Sequence, residues 1–111
     1  MTDLEMTRLC AEAMGLHPSP YGEDRLEVVT WHGPDGEHPT YRIYEPLNDD
    51  AQAMALVKKF VLHIEWLATK DWAVDYGSRA NPQHIACNPD LSRAIVECVA
   101  KMQSAKTELK G

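Results

Sequence analysis

The sequence predicts an α+β fold in which three helices pack on a small antiparallel sheet of three or four strands, in the order αββαβ(β)α. Two observations lead to this class. Three segments carry apolar residues at helical spacing, and the segments between them alternate β-branched or aromatic side chains with polar ones. With 111 residues, 44% of them hydrophobic, the chain suffices for one core and is too short for two ordinary domains.

The first predicted helix covers residues 3–14, where apolar side chains recur at helical spacing and charged residues fill the opposite face. Thr2 or Asp3 can cap its first amides, and Gly15 suits the left-handed residue that ends many helices. Prolines and glycines crowd residues 16–24, so we expect an irregular surface crossing there.

Two strands are predicted next, at residues 26–31 and 40–44, because β-branched and aromatic residues dominate both runs. The connector between them, GPDGEHP, is rich in turn formers and too long for a two-residue reversal. This pattern indicates an antiparallel hairpin with a flexible tip. Pro46 ends the second strand.

The second predicted helix begins at Asn48, Asp49 or Asp50, each of which can cap a helix, and its apolar stripe continues through Leu67. Carboxylates stand at its amino end. Lysines, including Lys70, stand toward the other end, which is the order that the helix dipole favours.

A third strand is predicted around Trp72, Val74 and Tyr76, which alternate with small or polar residues and place the aromatic side chains on one face. The segment that follows, SRANPQHIACN, fits either a loop or a short fourth strand around residues 84–87. Periodicity does not decide between these two.

The third predicted helix starts after Asn88 and Pro89, since asparagine caps amides and proline suits the first helical position. Its apolar stripe is lost in the tail SAKTELKG. We therefore expect a single domain over residues 1–103 and a frayed tail over residues 104–111.

Charge and composition exclude several functional classes. The formal charge is −6, with 17 acidic and 11 scattered basic residues, so there is no patch to neutralise nucleic-acid phosphates. No apolar run approaches the roughly 20 residues that cross a bilayer, and the start MTDLEMTRLC lacks the order of a secretory signal. We expect a cytoplasmic protein that contacts neither nucleic acid nor membrane.

The titratable residues form no complete catalytic signature, and we expect no cofactor and no enzymatic activity. His63 and Glu65 make an H-x-E, but the downstream P-C-x-x-C of zinc deaminases is missing, which favours ordinary residues on a helix flank. Phosphate-binding and nucleophile-elbow glycine motifs are also missing. Cys10 and Cys98 lie on apolar stripes and are predicted to be inert core thiols, so Cys87 is the remaining candidate nucleophile among the cysteines.

The connector of the first hairpin offers another set of polar groups. His32, Asp35, Glu37 and His38 can chelate a divalent metal if the loop folds back on itself. Their spacing matches no known ligand set, and such residues are common in exposed turns. We favour solvated side chains and expect no metal site.

Three segments of the chain resemble the phage ABA sandwich domain family. They are the opening LCAEAMG, the run YEPLNDDAQAMALVKKF and the closing helix NPDLSRAIVECVAKM, in which Pro89, Ala94, Ile95 and, less well, Val99 match the pattern of that family. The resemblance spans most of the chain. It implies a bacteriophage or prophage origin and a sheet held between helices, but no assigned activity. The long GPDGEHP connector and the proline-rich stretch before it depart from the family pattern.

These observations lead to two functional hypotheses. The first is a phage-encoded binding protein that inhibits a host protein, most plausibly of an anti-phage defence system, in the cytoplasm of the infected host. The second is a sponge for a small nucleotide signal, in which strand aromatics stack on the base and arginines meet the phosphates. A homodimer formed through exposed aromatics is compatible with both. The candidate binding residues are Trp31, His32, Asp35, Glu37, Arg42, Tyr44, Trp72, Tyr76 and Arg79.

Overall fold

The structure, a computed structural model, describes residues 1–19, 25–78 and 81–110. Its elements are α1 (Asp3–Ala13), β1 (His17–Pro18), β2 (Glu27–His32), β3 (His38–Ile43), α2 (Asp50–Phe60), β4 (His63–Trp66), β5 (Trp72–Ser78), β6 (Asn81–Asn88) and α3 (Leu91–Lys110). The α+β class with three helices is confirmed. The described strands form two antiparallel sheets of three strands instead of one: sheet A in the order β1-β2-β3 and sheet B in the order β4-β5-β6.

Helix α1 begins and ends where its capping signals stand. The Thr2 hydroxyl accepts a hydrogen bond from the Glu5 amide at 3.1 Å, and the Thr2 amide donates to the Glu5 carboxylate at 3.0 Å. This reciprocal capping box satisfies two donors that have no partner within the helix. Gly15 follows with φ +72°, as predicted. Residues 17–18 then form β1 and pair with β2, so the predicted irregular crossing is wrong at its start; residues 20–24 lie outside the described residues.

Helix α2 is shorter than its apolar stripe predicts. Asp49 caps it by accepting from the amides of Ala51 and Gln52 at 2.9 and 3.2 Å. The helix ends at Phe60 because Val61 is left-handed, with φ +52°, and its amide returns to the Val57 carbonyl. The predicted continuation through Leu67 is wrong. Residues 63–66 form strand β4 instead, because their alternation also fits a strand and pairing with β5 satisfies their backbone.

A three-residue loop joins β4 to β5. Lys70 has φ +65°, its amide donates to the Leu67 carbonyl at 2.9 Å, and the Leu67 amide donates to the Asp71 carbonyl at 2.9 Å. This is the common hairpin of a type I turn followed by a left-handed residue. Lys70 therefore lies in a turn and not at a helix end. The loop brings Trp66 opposite Trp72, with ring centroids 4.8 Å apart.

The segment that periodicity left open forms a full strand, β6, which pairs with β5. Helix α3 starts two residues later than predicted, at Leu91, and Asp90 caps it: its carboxylate accepts from the Ser92 amide at 3.1 Å and its carbonyl from the Ala94 amide at 3.0 Å. The Asn88 carboxamide oxygen accepts from the Asp90 amide at 2.9 Å in the turn that precedes the helix. Helix α3 continues to Lys110. The expected division into a domain of residues 1–103 and a frayed tail stays a prediction.

Helix α3 stands at the centre of the molecule, in contact with α1, α2, β5 and β6. The described buried residues form one cluster, to which all three helices and both sheets contribute. Its largest fully buried apolar side chains are Leu56, Ile95, Val28, Val74, Val96 and Val99. None of the described helices has the length and apolarity needed to cross a membrane.

Candidate functional site

The outer part of the β2–β3 hairpin is an arm, residues 30–42, in which every residue is exposed. The two strands pair in register, with Thr30 opposite Thr40 and His32 opposite His38. The base of the hairpin is held in the core by Val28, which is fully buried. The arm thus extends beyond the point at which the sheet is covered by the rest of the protein.

One face of the arm is apolar. Antiparallel register places Trp31 opposite Pro39 and Val29 opposite Tyr41, so these four side chains share a face. Trp31 is 53% exposed and Tyr41 is 48% exposed. We call these four residues the apolar face of the arm, although Val29 stands just before the arm at its base and is half-buried. This face presents two large aromatic side chains to solvent.

The opposite face of the arm is polar, and it carries His32, His38 and Arg42. At the tip, the His38 ring nitrogen Nε2 lies 3.8 Å from the Glu37 carboxylate, with both side chains largely exposed. An exposed contact of this length adds little stability. With Asp35 also exposed, the tip carries two carboxylates.

The turn at the tip requires Gly33. Its φ is +97°, and a Cβ at this position would lie 2.8 Å from Cδ2 of His38. The His38 ring therefore packs directly on the glycine backbone. The Gly36 amide closes the turn by donating to the Gly33 carbonyl at 3.1 Å.

The free edge of β3 is interrupted at both ends. The Tyr44 amide donates to the Leu26 carbonyl at 2.7 Å, so these two residues form a hydrogen-bonded pair. In an antiparallel pair of strands every second residue directs its backbone N–H and C=O to the partner strand. The backbone polar groups of Pro39, Tyr41 and Ile43 therefore point away from β2. Pro39 has no N–H to offer there. At the other end, the Gln52 carboxamide nitrogen donates to the Ile43 carbonyl at 3.1 Å. The Gln52 carboxamide oxygen accepts from the Glu45 amide at 2.7 Å.

The structure separates the nine predicted binding residues into groups. Trp31, His32, Asp35, Glu37 and Arg42 all lie on the arm and are exposed. Tyr44 is 3% exposed and belongs to the core. Trp72 is half-buried against the core, and Tyr76 is 39% exposed beyond an irregularity in the β5–β6 register. Arg79 lies outside the described residues.

The buried Tyr44 is unusual for its hydroxyl, which is inaccessible to solvent and makes no hydrogen bond with the described residues. Burial raises the pKa of this phenol, with the nearby Cys10 thiol a smaller cause. The Tyr44 side chain lines a cavity of about 350 Å³ at the amino ends of α1 and α3. Tyr44 is the one described member of the nine predicted residues in that lining.

The same cavity is bordered by a two-point ion pair. The Arg93 guanidinium donates to both carboxylate oxygens of Asp3, each at 3.0 Å. This contact holds the pKa of Asp3 below its usual range and raises that of Arg93. Glu45 and Asp90 add two more carboxylates to the lining and Arg25 adds one more guanidinium, so acidic groups outnumber basic ones by three to two among the described lining residues and the cavity does not favour an anionic ligand.

Sequence reasoning missed a contact between His63 and Asp75. The His63 Nδ1 lies 3.4 Å from the Asp75 carboxylate across the β4–β5 pair, and the other carboxylate oxygen of Asp75 is buried without a hydrogen-bond partner among the described residues. The prediction placed His63 and Glu65 on a helix. No local signal could have revealed the contact, because it depends on β4 being a strand.

The three cysteines differ in burial. Cys10 and Cys98 are buried, as predicted, and burial raises the pKa of each thiol to about 12. Cys87 is exposed on β6. Within the described residues, no group of three or more histidine, cysteine, aspartate or glutamate side chains could hold a metal ion.

Comparisons of the chain with protein-family models, curated proteins and solved structures found no match. The resemblance to the phage ABA sandwich family therefore stays a prediction. Any functional conclusion depends on the geometry of the chain itself.

Proposed function

We propose that this protein is a binding module that docks onto a partner protein through the apolar face of the arm. The observation that supports this proposal is the uninterrupted exposure of residues 30–42 together with Trp31 and Tyr41 on one face. Exposed aromatic patches of this kind mark interaction sites more often than chance. We propose a binding role in place of an enzymatic one.

The two aromatic residues suit a role at the centre of an interface. Tryptophan and tyrosine are enriched among residues that dominate binding energy, because they bury a large rigid area at a small cost in side-chain entropy. The arm is already ordered by its strand pairing and by the Gly33 turn. Docking therefore costs less conformational entropy than ordering a free loop.

The charge of the arm selects the kind of partner. Asp35 and Glu37 stand at the tip, near the apolar face, and the whole chain carries a formal charge of −6. The complementary surface is a shallow apolar cleft with basic residues on its rim. Such charges mainly accelerate association and exclude other partners, and contribute less to the final affinity.

The edge of the arm is a poorer docking element than its face. Pro39 offers no amide, and Gln52 occupies the Ile43 carbonyl, so a partner strand could not form a continuous ladder along β3. A side-chain interface through Trp31 and Tyr41 avoids this interruption. We therefore assign the contact to the apolar face.

The resemblance to a phage family is the reason for proposing a bacterial partner. In this proposal the protein acts in the cytoplasm of an infected host and inhibits a host protein, most plausibly one of an anti-phage defence system. A small acidic module with a preformed arm fits inhibition by occupation of a basic surface.

The nucleotide sponge has less support and stays a prediction. It requires aromatic and arginine side chains around one pocket. Arg42 lies on the face of the arm opposite its aromatic residues. The cavity at the amino ends of α1 and α3 does join Tyr44 to Arg25 and Arg93. However, the Tyr44 ring is buried and Arg93 is already paired with Asp3. A panel of linear and cyclic nucleotides in a thermal-shift assay checks this alternative, since a ligand of the folded state raises the midpoint.

The proposal is tested by capture with an arm variant, Trp31→Ser combined with Tyr41→Ser. The tagged wild-type protein is expected to retain one host protein in stoichiometric amount from a bacterial lysate, and the variant to lose it. With the purified partner, calorimetric titration should show affinity falling roughly 100-fold or more, as for loss of two central aromatic residues.

The matched control is Ile85→Ser, which removes an apolar side chain of similar exposure, 47%, from sheet B. It is expected to bind like the wild type. Equal retention of the partner by the arm variant and the wild type would contradict the proposal, as would loss of binding in the control alone.

A further inference from the structure

Among the described strands, four lie at the outer edges of the two sheets, and three of these edges are obstructed. Strand β1 has two residues and ends in Pro18. The edge of β3 is interrupted by Pro39 and by Gln52, as described above. Strand β6 lies against α3, from which the Lys101 ammonium donates to the Ile85 carbonyl at 2.8 Å. Proteins commonly block sheet edges in such ways, because an open edge invites another strand.

The edge of β4 is different. The hydrogen bond from the Leu67 amide to the Asp71 carbonyl shows which residues of β4 direct their backbone N–H and C=O groups to β5 and which direct them away. By that alternation, the N–H and C=O groups of Ile64 and Trp66 point away from β5. Strand β4 contains no proline, and within the described part of the chain it pairs with β5 alone.

Exposed apolar side chains stand at both ends of β4. Val61, two residues before the strand, is 80% exposed, and Trp66, its last residue, is 54% exposed. In an antiparallel pairing of two copies, the beginning of one strand meets the end of the other. Each Trp66 would then lie next to Leu62 and Val61 of the second copy.

We propose that β4 pairs with β4 of a second copy of this chain, antiparallel and about a twofold axis at Ile64. The Ile64 amides and carbonyls of the two copies then exchange two hydrogen bonds. Each Trp66 amide donates to the Leu62 carbonyl of the other copy. The two sheets B join into one continuous six-stranded sheet, as an isologous interface requires.

Charge favours this register over the register that is shifted by one residue. With the axis at Ile64, each Glu65 stands directly opposite His63 of the second copy. A shift that moves the axis to Glu65 places the two Glu65 carboxylates opposite each other, and directly opposed like charges destabilise a sheet. An axis at Trp66 pairs Ile64 with a residue of the β4–β5 loop, so fewer strand residues of the two copies face each other.

This proposal is independent of the function of the arm, and two measurements on the full chain test it. Sedimentation velocity from roughly 1 μM to roughly 1 mM should show a monomer converting to a dimer. Amide hydrogen exchange over the same range should show protection of Ile64 and Trp66 that grows with concentration. The Tyr41 amide, on the interrupted edge of β3, serves as the internal control and should not change.

A double variant sharpens the test. Val61→Asn keeps a residue that tolerates the left-handed backbone, and Trp66→Lys places a charge at the edge. Together they should raise the dimer dissociation constant roughly tenfold or more, whereas Ile85→Ser on the opposite edge of sheet B should leave it unchanged. A monomer at every concentration would overturn the proposal. So would a dimer in which the Ile64 and Trp66 amides exchange at the monomer rate.

Discussion

The β2–β3 arm and the β5–β6 hairpin are both antiparallel strand pairs, but they have opposite environments. Strands β2, β3 and β5 are rich in β-branched and aromatic residues, whereas β6 has Ile85 as its single β-branched residue. In sheet B, Val74 and Ala86 are buried, and α3 lies against both strands. In the arm, every residue from 30 to 42 is exposed. Alternation thus specifies that a strand forms, and the presence of a covering helix decides whether the strand stabilises the core or presents a surface.

The comparison also separates stability from binding. The buried cluster involves all three helices and the inner parts of the strands, and it includes no residue of the arm. Substitutions in the arm should therefore change binding with little change in the free energy of unfolding. Substitutions beneath α3 should do the reverse.

The largest expected effect is the loss of a core side chain from α3. Ile95 is 1% exposed, and Ile95→Ala should lower the free energy of unfolding by about 2–5 kcal/mol, because it leaves a cavity in a close-packed core. Urea denaturation followed by circular dichroism measures the change. Ile85→Ala, with the same chemical change at 47% exposure, should cost about 1 kcal/mol or less. Equal losses in the two variants would contradict the assignment of the core.

An intermediate effect is expected from the buried thiols at alkaline pH. The pKa of Cys10 and of Cys98 rises from 9.0 to about 12 on burial, so above pH 9 the unfolded chain loses these protons before the folded chain does. Stability then falls as pH rises between 9 and 12, by about 1 kcal/mol per thiol near pH 10. Unfolding midpoints of wild type and Cys98→Ala across this range check the prediction, because the stability of the variant should depend less steeply on pH.

The exposed Cys87 should react with a thiol reagent in the native state, and the two buried cysteines only after unfolding.

The smallest expected effect is at the Asp3–Arg93 ion pair. The Asp3 pKa is lowered by this contact, so its contribution is present at neutral pH and is lost as pH falls through the folded value. Asp3→Asn should give a slight loss of stability that high salt abolishes, since the carboxylate is exposed. Thermal melts in low and high salt measure it. A loss that persists in high salt would point to packing in place of charge.

Local chemistry explains which elements the sequence predicted well. Thr2 and Asp49 supply the capping oxygens that the starts of α1 and α2 need, and the capping distances depend on neighbours within three residues. For α3 the signal of Asn88 and Pro89 predicted the start to within two residues, and Asp90 supplies the capping oxygen. The β2–β3 hairpin was likewise predicted by a run of turn formers between two β-rich segments. Such signals require no knowledge of the rest of the chain.

The candidate site was predicted in part for the same reason. Five of the nine residues proposed from sequence lie together on the arm, because they surround one connector. Tyr44 lies two residues after Arg42 but is buried, since the chain passes from the free hairpin into the core at the end of β3. Gln52, which closes the edge of β3 from α2, carries no signal in sequence, because an amide side chain is equally compatible with solvent.

The sequence by itself determined the fold class, the capped starts of α1 and α2, the first hairpin and the burial of Cys10 and Cys98, all of which follow from local hydrogen bonding and apolar periodicity. Tertiary structure decided that residues 63–66 form a strand, because their apolar spacing fits a helix and a strand equally and only pairing with β5 distinguishes the two. It also decided which strands are covered. That outcome depends on where α3 lies, and the arm and the β4 edge are the surfaces that α3 leaves open.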